Sequence, residues 1–212
     1  MHPTFDVRYH SMHGALSESQ HVFIKSGLDH YFARYHPDQI RVFEMGFGTG
    51  LNAVLAIQYC LEKKIGLHYL ASELNMLDID LAKNLFIPEL LELSEQETKV
   101  FHNLHEVEKT IEVINHVPIE AQVCIGDFLE SSWEESFADV IFYDAFGPRT
   151  QPELWDRKAT DLCFRILAPG GILTTYCSQG QFRRNLQSSG FHTEKIPGPP
   201  GKREMTRAIK PI

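Results

Sequence analysis

No apolar run approaches the roughly 20 residues that a membrane-spanning helix requires, and the N-terminus has neither the basic n-region nor the apolar h-region of a secretory leader. The chain is therefore expected in the cytoplasm, away from membranes. Cysteine is scarce. The four present, Cys60, Cys124, Cys163 and Cys177, show no CxxC spacing and sit among apolar residues, so they are expected to be reduced core residues. The eleven histidines form no HExxH or paired Cys/His pattern, and no metal site is expected. Ser11 and Ser178 lack a GxSxG context, which argues against a serine hydrolase. Positive charge is also short: 20 Lys and Arg against 28 Asp and Glu, a net charge of -8. A surface of that balance does not bind nucleic acid generically, because phosphate neutralisation needs cations on the contact face. The exception is residues 180–212, where Arg183, Arg184, Lys195, Lys202, Arg203, Arg207 and Lys210 face only Glu194 and Glu204. This is either a local basic patch or ordinary solvated surface.

What remains is an ordinary folded composition, 43% hydrophobic and 23% charged over 212 residues, and one α/β domain is expected over residues 1–212. Strands are predicted over 40–45, 67–72, 138–143 and 171–176, while 110–115 and 121–125, rich in valine and isoleucine, form either a hairpin or a strand preceded by another segment. Helices are predicted over 51–61, 76–86, 89–103, 152–167 and 179–188 from apolar residues recurring at three- and four-residue steps. A closing pair over 191–196 and 205–209, joined by the Pro-Gly loop 197–201, suits a sheet edge. This alternation predicts a doubly wound, mostly parallel sheet with an antiparallel C-terminal edge hairpin.

Gly46-x-Gly48-x-Gly50 follows a predicted strand and opens a helix, where missing side chains let a ligand approach the backbone. The spacing is GxGxG with Glu44 two positions ahead. It is not the GxGxxG that aims a helix at a pyrophosphate. S-adenosylmethionine (SAM) carries no phosphate, and a carboxylate suits its charged amino-acid end. Glu73 ends the next strand where doubly wound folds place an acid that receives both ribose hydroxyls. Asp127, in Ile125-Gly126-Asp127-Phe128, would end a further strand near the adenine edge. Each acid has a plain alternative as a helix cap or turn residue. Asp144 ends the strand of Phe142-Tyr143-Asp144-Ala145-Phe146-Gly147-Pro148 and is placed to accept a hydrogen bond from an amine, orient it and help remove a proton. Trp155 is expected to pack under this loop, while Phe146 could either pack or stack on a base.

Taken together, the strings Tyr9-His10-Ser11, Gly14-Ala15-Leu16-Ser17-Glu18-Ser19, His21-Val22-Phe23-Ile24, Glu44 to Asn52, Ser72-Glu73, Gly126-Asp127, Tyr143 to Pro148 with Pro152-Glu153-Leu154-Trp155, and Gly201-Lys202-Arg203-Glu204-Met205 resemble the MnmC-like methyltransferases. These act on 5-aminomethyl-uridine derivatives at the tRNA wobble position. The resemblance implies a class I, Rossmann-like SAM-dependent methyltransferase, with residues 1–36 covering the pocket of a SAM-binding core over 37–212. It implies cofactor contacts from Glu44, Gly46, Phe47, Gly48, Gly50, Asn52, Glu73, Asp127 and Glu18. Asp144 would be the acid beside the substrate amine, and Phe146, Lys202 and Arg203 would face tRNA. The family commonly has Asp-Gly-Phe-Ala-Pro where this chain has Asp144-Ala145-Phe146-Gly147-Pro148. Bifunctional members also carry an FAD-dependent oxidoreductase domain for which no residues remain, so methyl transfer alone is expected.

The expected reaction is therefore conversion of 5-aminomethyl-(2-thio)uridine in the tRNA anticodon arm to its methylaminomethyl form. The rival readings are methylation of a small amine or a protein side chain, a noncatalytic module of the same fold, and a dinucleotide-dependent dehydrogenase.

Overall fold

The computed structural model describes residues 13–212, so the Tyr9-His10-Ser11 string lies outside the described residues. Residues 13–35 form a continuous helical segment, α1, whose middle, Gln20–Asp29, is wound as π-helix and whose last turns are His30–Tyr35. Eight strands follow: β1 (Gln39–Met45), β2 (Gly66–Glu73), β3 (Thr110–Ile114), β4 (Val117–Ile125), β5 (Ala138–Tyr143), β6 (Leu167–Thr175), β7 (His192–Pro197) and β8 (Glu204–Ile209). The helices between them are α2 (Leu51–Lys63), α3 (Ile79–Lys83), α4 (Ile87–Leu90), α5 (Glu95–His105), α6 (Arg157–Ile166) and α7 (Gly180–Ser189).

All strands join one sheet in the order β3-β4-β2-β1-β5-β6-β8-β7. The central pairs β4-β2, β2-β1, β1-β5 and β5-β6 are parallel. The expected C-terminal hairpin is present, with β8 antiparallel to both β6 and β7, and the opposite edge is antiparallel as well, through the β3-β4 hairpin. Side chains of a strand alternate between faces, and here both faces are covered. Ile40, Val42, Val140 and Phe142 enter a core beneath α1, α2 and α5, while Phe43, Met45, Ile141 and Tyr143 enter a second beneath α6 and α7. Hence β5 is buried at all six positions, the near-continuous apolar run expected of a central parallel strand. Arg41 clamps its far end, donating through Nη2 to Asp139 Oδ1 at 2.6 Å and through its backbone N–H to Oδ2 at 2.9 Å.

Three predicted helices change shape, and a capping residue accounts for each. The predicted 76–86 helix shrinks to α3 because the Asp78 carboxylate accepts from Asp80 N–H at 2.9 Å and starts the helix there. The predicted 89–103 helix splits, because Ser94 and Glu97 form a capping box that opens α5 afresh. In the third case Asp156 accepts from Ala159 N–H and divides the predicted 152–167 helix into a 3-10 turn, Pro152–Trp155, and α6. Strand β6 begins earlier than predicted, at Leu167, and reaches β5 across a register shift between Ala138 and Val140. Cys60, Cys163 and Cys177 are buried, Cys124 is half-buried, and all four are free thiols. Among the described residues no helix is long and apolar enough to cross a membrane.

Candidate active site

The parallel strands β1, β2, β4 and β5 all end on one side of the sheet. Ligands of open α/β sheets gather there, where the chain order reverses direction, and in this sheet that point is β1, with β2 on one flank and β5 on the other. Backbone hydrogen bonds carry the ladder a step beyond the strand ends. Gly46 N–H donates to Ser72 at 3.0 Å, Asp144 N–H to Met45 at 3.1 Å and Gly126 N–H to Glu73 at 2.9 Å. The three loops are thereby held in register around a cleft of about 730 Å³.

The glycines of the first loop have separate reasons. Gly46, at φ +90°, would place a Cβ 2.9 Å from the Asp144 carbonyl oxygen, so a side chain there would push the two loops apart. Gly48, at φ +54°, has open space where its Cβ would lie. Gly50, at φ +74°, would meet the ring atoms of Phe47 and His105 at 2.9 and 3.0 Å. Phe47 is itself buried against His105, with ring centroids 5.0 Å apart. His105 was not anticipated from the sequence; it packs beneath the loop as a core residue, with one ring nitrogen 2.9 Å from the Phe101 carbonyl oxygen. Gly46→Ala is expected to lower stability by about 2 kcal/mol or more, combining a left-handed φ with a backbone clash. Gly48→Ala is expected to cost only about 1 kcal/mol. At about 2–4 °C per kcal/mol for a chain of this size, thermal melts resolve the two, and equal shifts would discard the proposed contact between the loops.

Glu73 ends β2 with both carboxylate oxygens on backbone donors, Gly48 N–H at 3.0 Å and Asn75 N–H at 2.9 Å. Each oxygen retains a lone pair, so the carboxylate is rigidly presented to the cleft and still able to accept a vicinal diol. Asp127 lines the cleft, and its Oδ1 accepts from Leu129 N–H at 2.8 Å, the turn geometry named as its alternative. Glu44 lies off the cleft wall and is fully buried. It accepts from Tyr69 OH at 2.5 Å and from Asn52 Nδ2 at 2.7 Å, and burial pushes its carboxyl well above the usual range. Asn52 reaches the cleft wall and donates from the same Nδ2 to Asp144 Oδ2 at 2.8 Å. Glu44 thus acts on the cleft through Asn52, which aligns Asp144.

Asp144 lines the cleft just past the end of β5. Burial is the main cause that raises its carboxyl to about 7, the Asn52 hydrogen bond opposes the rise, and Glu18 and Lys202 act on it with opposite signs. Its loop is braced by Trp155, which donates through Nε1 to the Phe146 carbonyl at 2.8 Å and packs edge-on against Tyr143 and Phe182, as expected. Phe146 itself is 71% exposed at the rim. The N-terminal segment contributes Ala15 and Ser19 to the wall. Glu18 binds Lys202 Nζ at 2.6 Å, and that ammonium lies 4.3 Å from the centroid of the Tyr176 ring.

Several lining residues were missed by sequence reasoning. Residues 74–78 line the cleft, the last three of them because the helix predicted from 76 starts only at Ile79. Tyr176 also lines it and donates to the Ala145 carbonyl at 2.7 Å. Its signal was available, since it follows the strand next to β5 at the same end of the sheet. Among the described residues the charge of the wall is one-sided: Glu73, Asp78, Asp127, Asp144 and Glu153 line it, with no Lys, Arg or His. Such a wall repels a pyrophosphate and attracts cations, which disfavours a dinucleotide and fits a sulfonium. A family model described as S-adenosyl-L-methionine-dependent methyltransferase matches residues 88–211. The chain belongs to that family.

This methyltransferase is 31% identical over 212 residues to the tRNA 5-methylaminomethyl-2-thiouridine biosynthesis bifunctional protein MnmC of Pseudomonas fluorescens, a match over 96% of this chain and 32% of that protein. It is 33% identical over 208 residues to the protein of the same name from Stutzerimonas stutzeri, over 94% and 31%. The chain spans about a third of the length of these relatives. Among solved structures, MnmC2 from Aquifex aeolicus superposes with a TM-score of 0.62 at 23% identity, over 86% of this chain and 58% of that one. A TehB-like SAM-dependent methyltransferase from Corynebacterium glutamicum does so at 0.51 and 13%, over 99% and 97%. The fold is that of the class I SAM-dependent methyltransferases, and SAM is the cofactor. The cleft fits it: an acidic wall for a cation, a carboxylate with spare lone pairs for a diol, and a glycine loop with open space at Gly48.

Proposed function

We propose that this methyltransferase converts 5-aminomethyl-(2-thio)uridine at the tRNA wobble position to the methylaminomethyl form. The observation that carries the reading is Asp144: a half-buried carboxylate on the cleft wall, aligned by Asn52 and raised to about 7. The names of the MnmC relatives supply the substrate class.

When bound, SAM supplies an electrophilic methyl group on its sulfonium. Glu73 receives the ribose hydroxyls, Asp127 lies beside the adenine, and the 46–50 loop gives its backbone to the cofactor. Glu44 sets the Asn52 amide, Phe47 and Gly50 keep the loop in shape, and Glu18 closes the wall from α1. An aminomethyl group arrives largely as its ammonium. Asp144, ionised above about pH 7, accepts one proton and holds the neutral amine in line, so its effect combines positioning with base catalysis. Phe146 stacks on the exposed anticodon base, and Lys202 and Arg203 face RNA backbone, as suits recognition of a single-stranded loop. A cytoplasmic location follows from that substrate.

The test is methyl transfer from labelled SAM to tRNA lacking this modification, followed by mass analysis of the nucleosides. The expected product is methylaminomethyl-uridine. Labelling of free amines or proteins in place of tRNA would shift the acceptor class.

A further inference from the structure

Beside the acidic cleft lies a second cavity of about 670 Å³, and Tyr176 lines both. Its charge is reversed: among the described residues Lys195, Lys202 and Arg203 line it, with Glu204 as the one carboxylate. Glu204 is paired to Lys195 at 3.1 Å, and Arg203 and Arg183 also help hold its carboxyl below the usual range. Three cations, Lys195, Arg203 and Arg183, thus act on this one acid. Among the described residues Arg203 and Arg183 form no ion pair, and Arg183 Nη1 is buried with no hydrogen-bond partner. The loop bearing these groups has a defined shape, with Lys202 N–H donating to the Pro199 carbonyl at 2.9 Å and Gly201 at φ +87°.

The proposed acceptor is a nucleotide, and its two ends have opposite electrostatic needs. The ammonium belongs on the acidic wall, whereas the adjoining phosphodiester is repelled by it and must lie outside. We propose that the basic cavity is a phosphodiester subsite that holds the backbone linkage flanking the modified nucleotide, with Tyr176 as the partition between the reacting end and the charged end. This rests on the tRNA reading above. Arg203 presents a planar fork suited to two phosphate oxygens, Lys195 adds a point charge, and Lys202, held by Glu18 over the Tyr176 ring, faces the RNA backbone from the inner boundary.

The test uses an anticodon stem-loop RNA and two versions in which one linkage flanking the wobble nucleotide is an uncharged methylphosphonate. Binding is measured with S-adenosylhomocysteine present, for the wild type and for Lys195→Ala/Arg203→Ala. One of the two neutral linkages is expected to weaken wild-type binding about tenfold and the double variant less than twofold. The double variant should bind the native RNA at least about tenfold more weakly, with a salt dependence shallower by about 1 in log-log slope, and S-adenosylhomocysteine affinity within twofold shows that it is folded. Neutral linkages without effect on the wild type, an equal loss in both proteins, or no RNA binding by the wild type would each overturn the subsite. Methyl transfer by the wild type to free 5-aminomethyl-uridine, which has no phosphate, separates the two ideas: turnover there keeps the reaction even where the subsite fails.

Discussion

Asp144→Asn leaves SAM affinity within about threefold of the wild type and lowers kcat by on the order of 10²–10⁴, the range for loss of a positioned general base. The amide keeps the size of the side chain but cannot take a proton. In the wild type, kcat should rise with pH and level off above about 7, where burial places the Asp144 carboxyl, and the variant should lack that acidic limb. The sign for stability is opposite to that of a salt-bridged acid. Because the folded-state value is raised above the ordinary 3.8, the native protein binds a proton that the unfolded chain has released between about pH 4 and 7, so stability falls as pH rises through that window. Asp144→Asn removes the titration and should melt higher than the wild type at pH 8, while the two converge near pH 4. Calorimetric SAM titration, a pH-rate profile and melts at the two pH values read all three effects. Unchanged kcat would remove Asp144 from the chemistry, and a variant that no longer binds SAM would make it a cofactor contact instead.

Glu73→Gln should raise the Kd for SAM by about 10–100-fold, because hydrogen bonds to a charged acceptor are worth about 1.5–3 kcal/mol each. Two causes act together. The diol loses an acceptor, and the carboxylate that receives Gly48 N–H and Asn75 N–H is no longer there to hold the glycine loop against the 74–78 loop. The kcat at saturating SAM should change far less than the Kd, since Glu73 does not touch the amine. A Kd within twofold of the wild type, measured by calorimetry, would show that the carboxylate serves only the loop.

The strand ends carrying Glu44, Glu73, Asp127 and Asp144 were legible because central parallel strands are short apolar runs closed by polar residues. β5 matches its predicted span at both ends. The 76–86 segment was misjudged for a physical reason. Its three-residue apolar period is compatible with a helix, but the Asp78 cap fixes the start at Ile79 and leaves residues 76–78 to line the cleft. Capping is decided by one side-chain geometry, which periodicity does not contain. The basic C-terminal run was visible as a count, but not its distribution: Arg207 pairs with Glu194 at 2.7 Å and Lys210 Nζ donates to the Leu167 carbonyl at 2.6 Å, while Lys195, Lys202 and Arg203 share a cavity.

By itself, the sequence determined the strand-loop-helix order, the glycine loop with its spacing and the acids at the strand ends, because these depend on backbone sterics and local periodicity. Only the tertiary structure decided that Glu44 is buried behind Asn52, that Asp144 is desolvated, and that an acidic and a basic cavity meet at Tyr176. Those properties arise from solvent exclusion and from charges brought together by residues distant in the chain, such as Glu18 with Lys202, and neither is a function of local sequence.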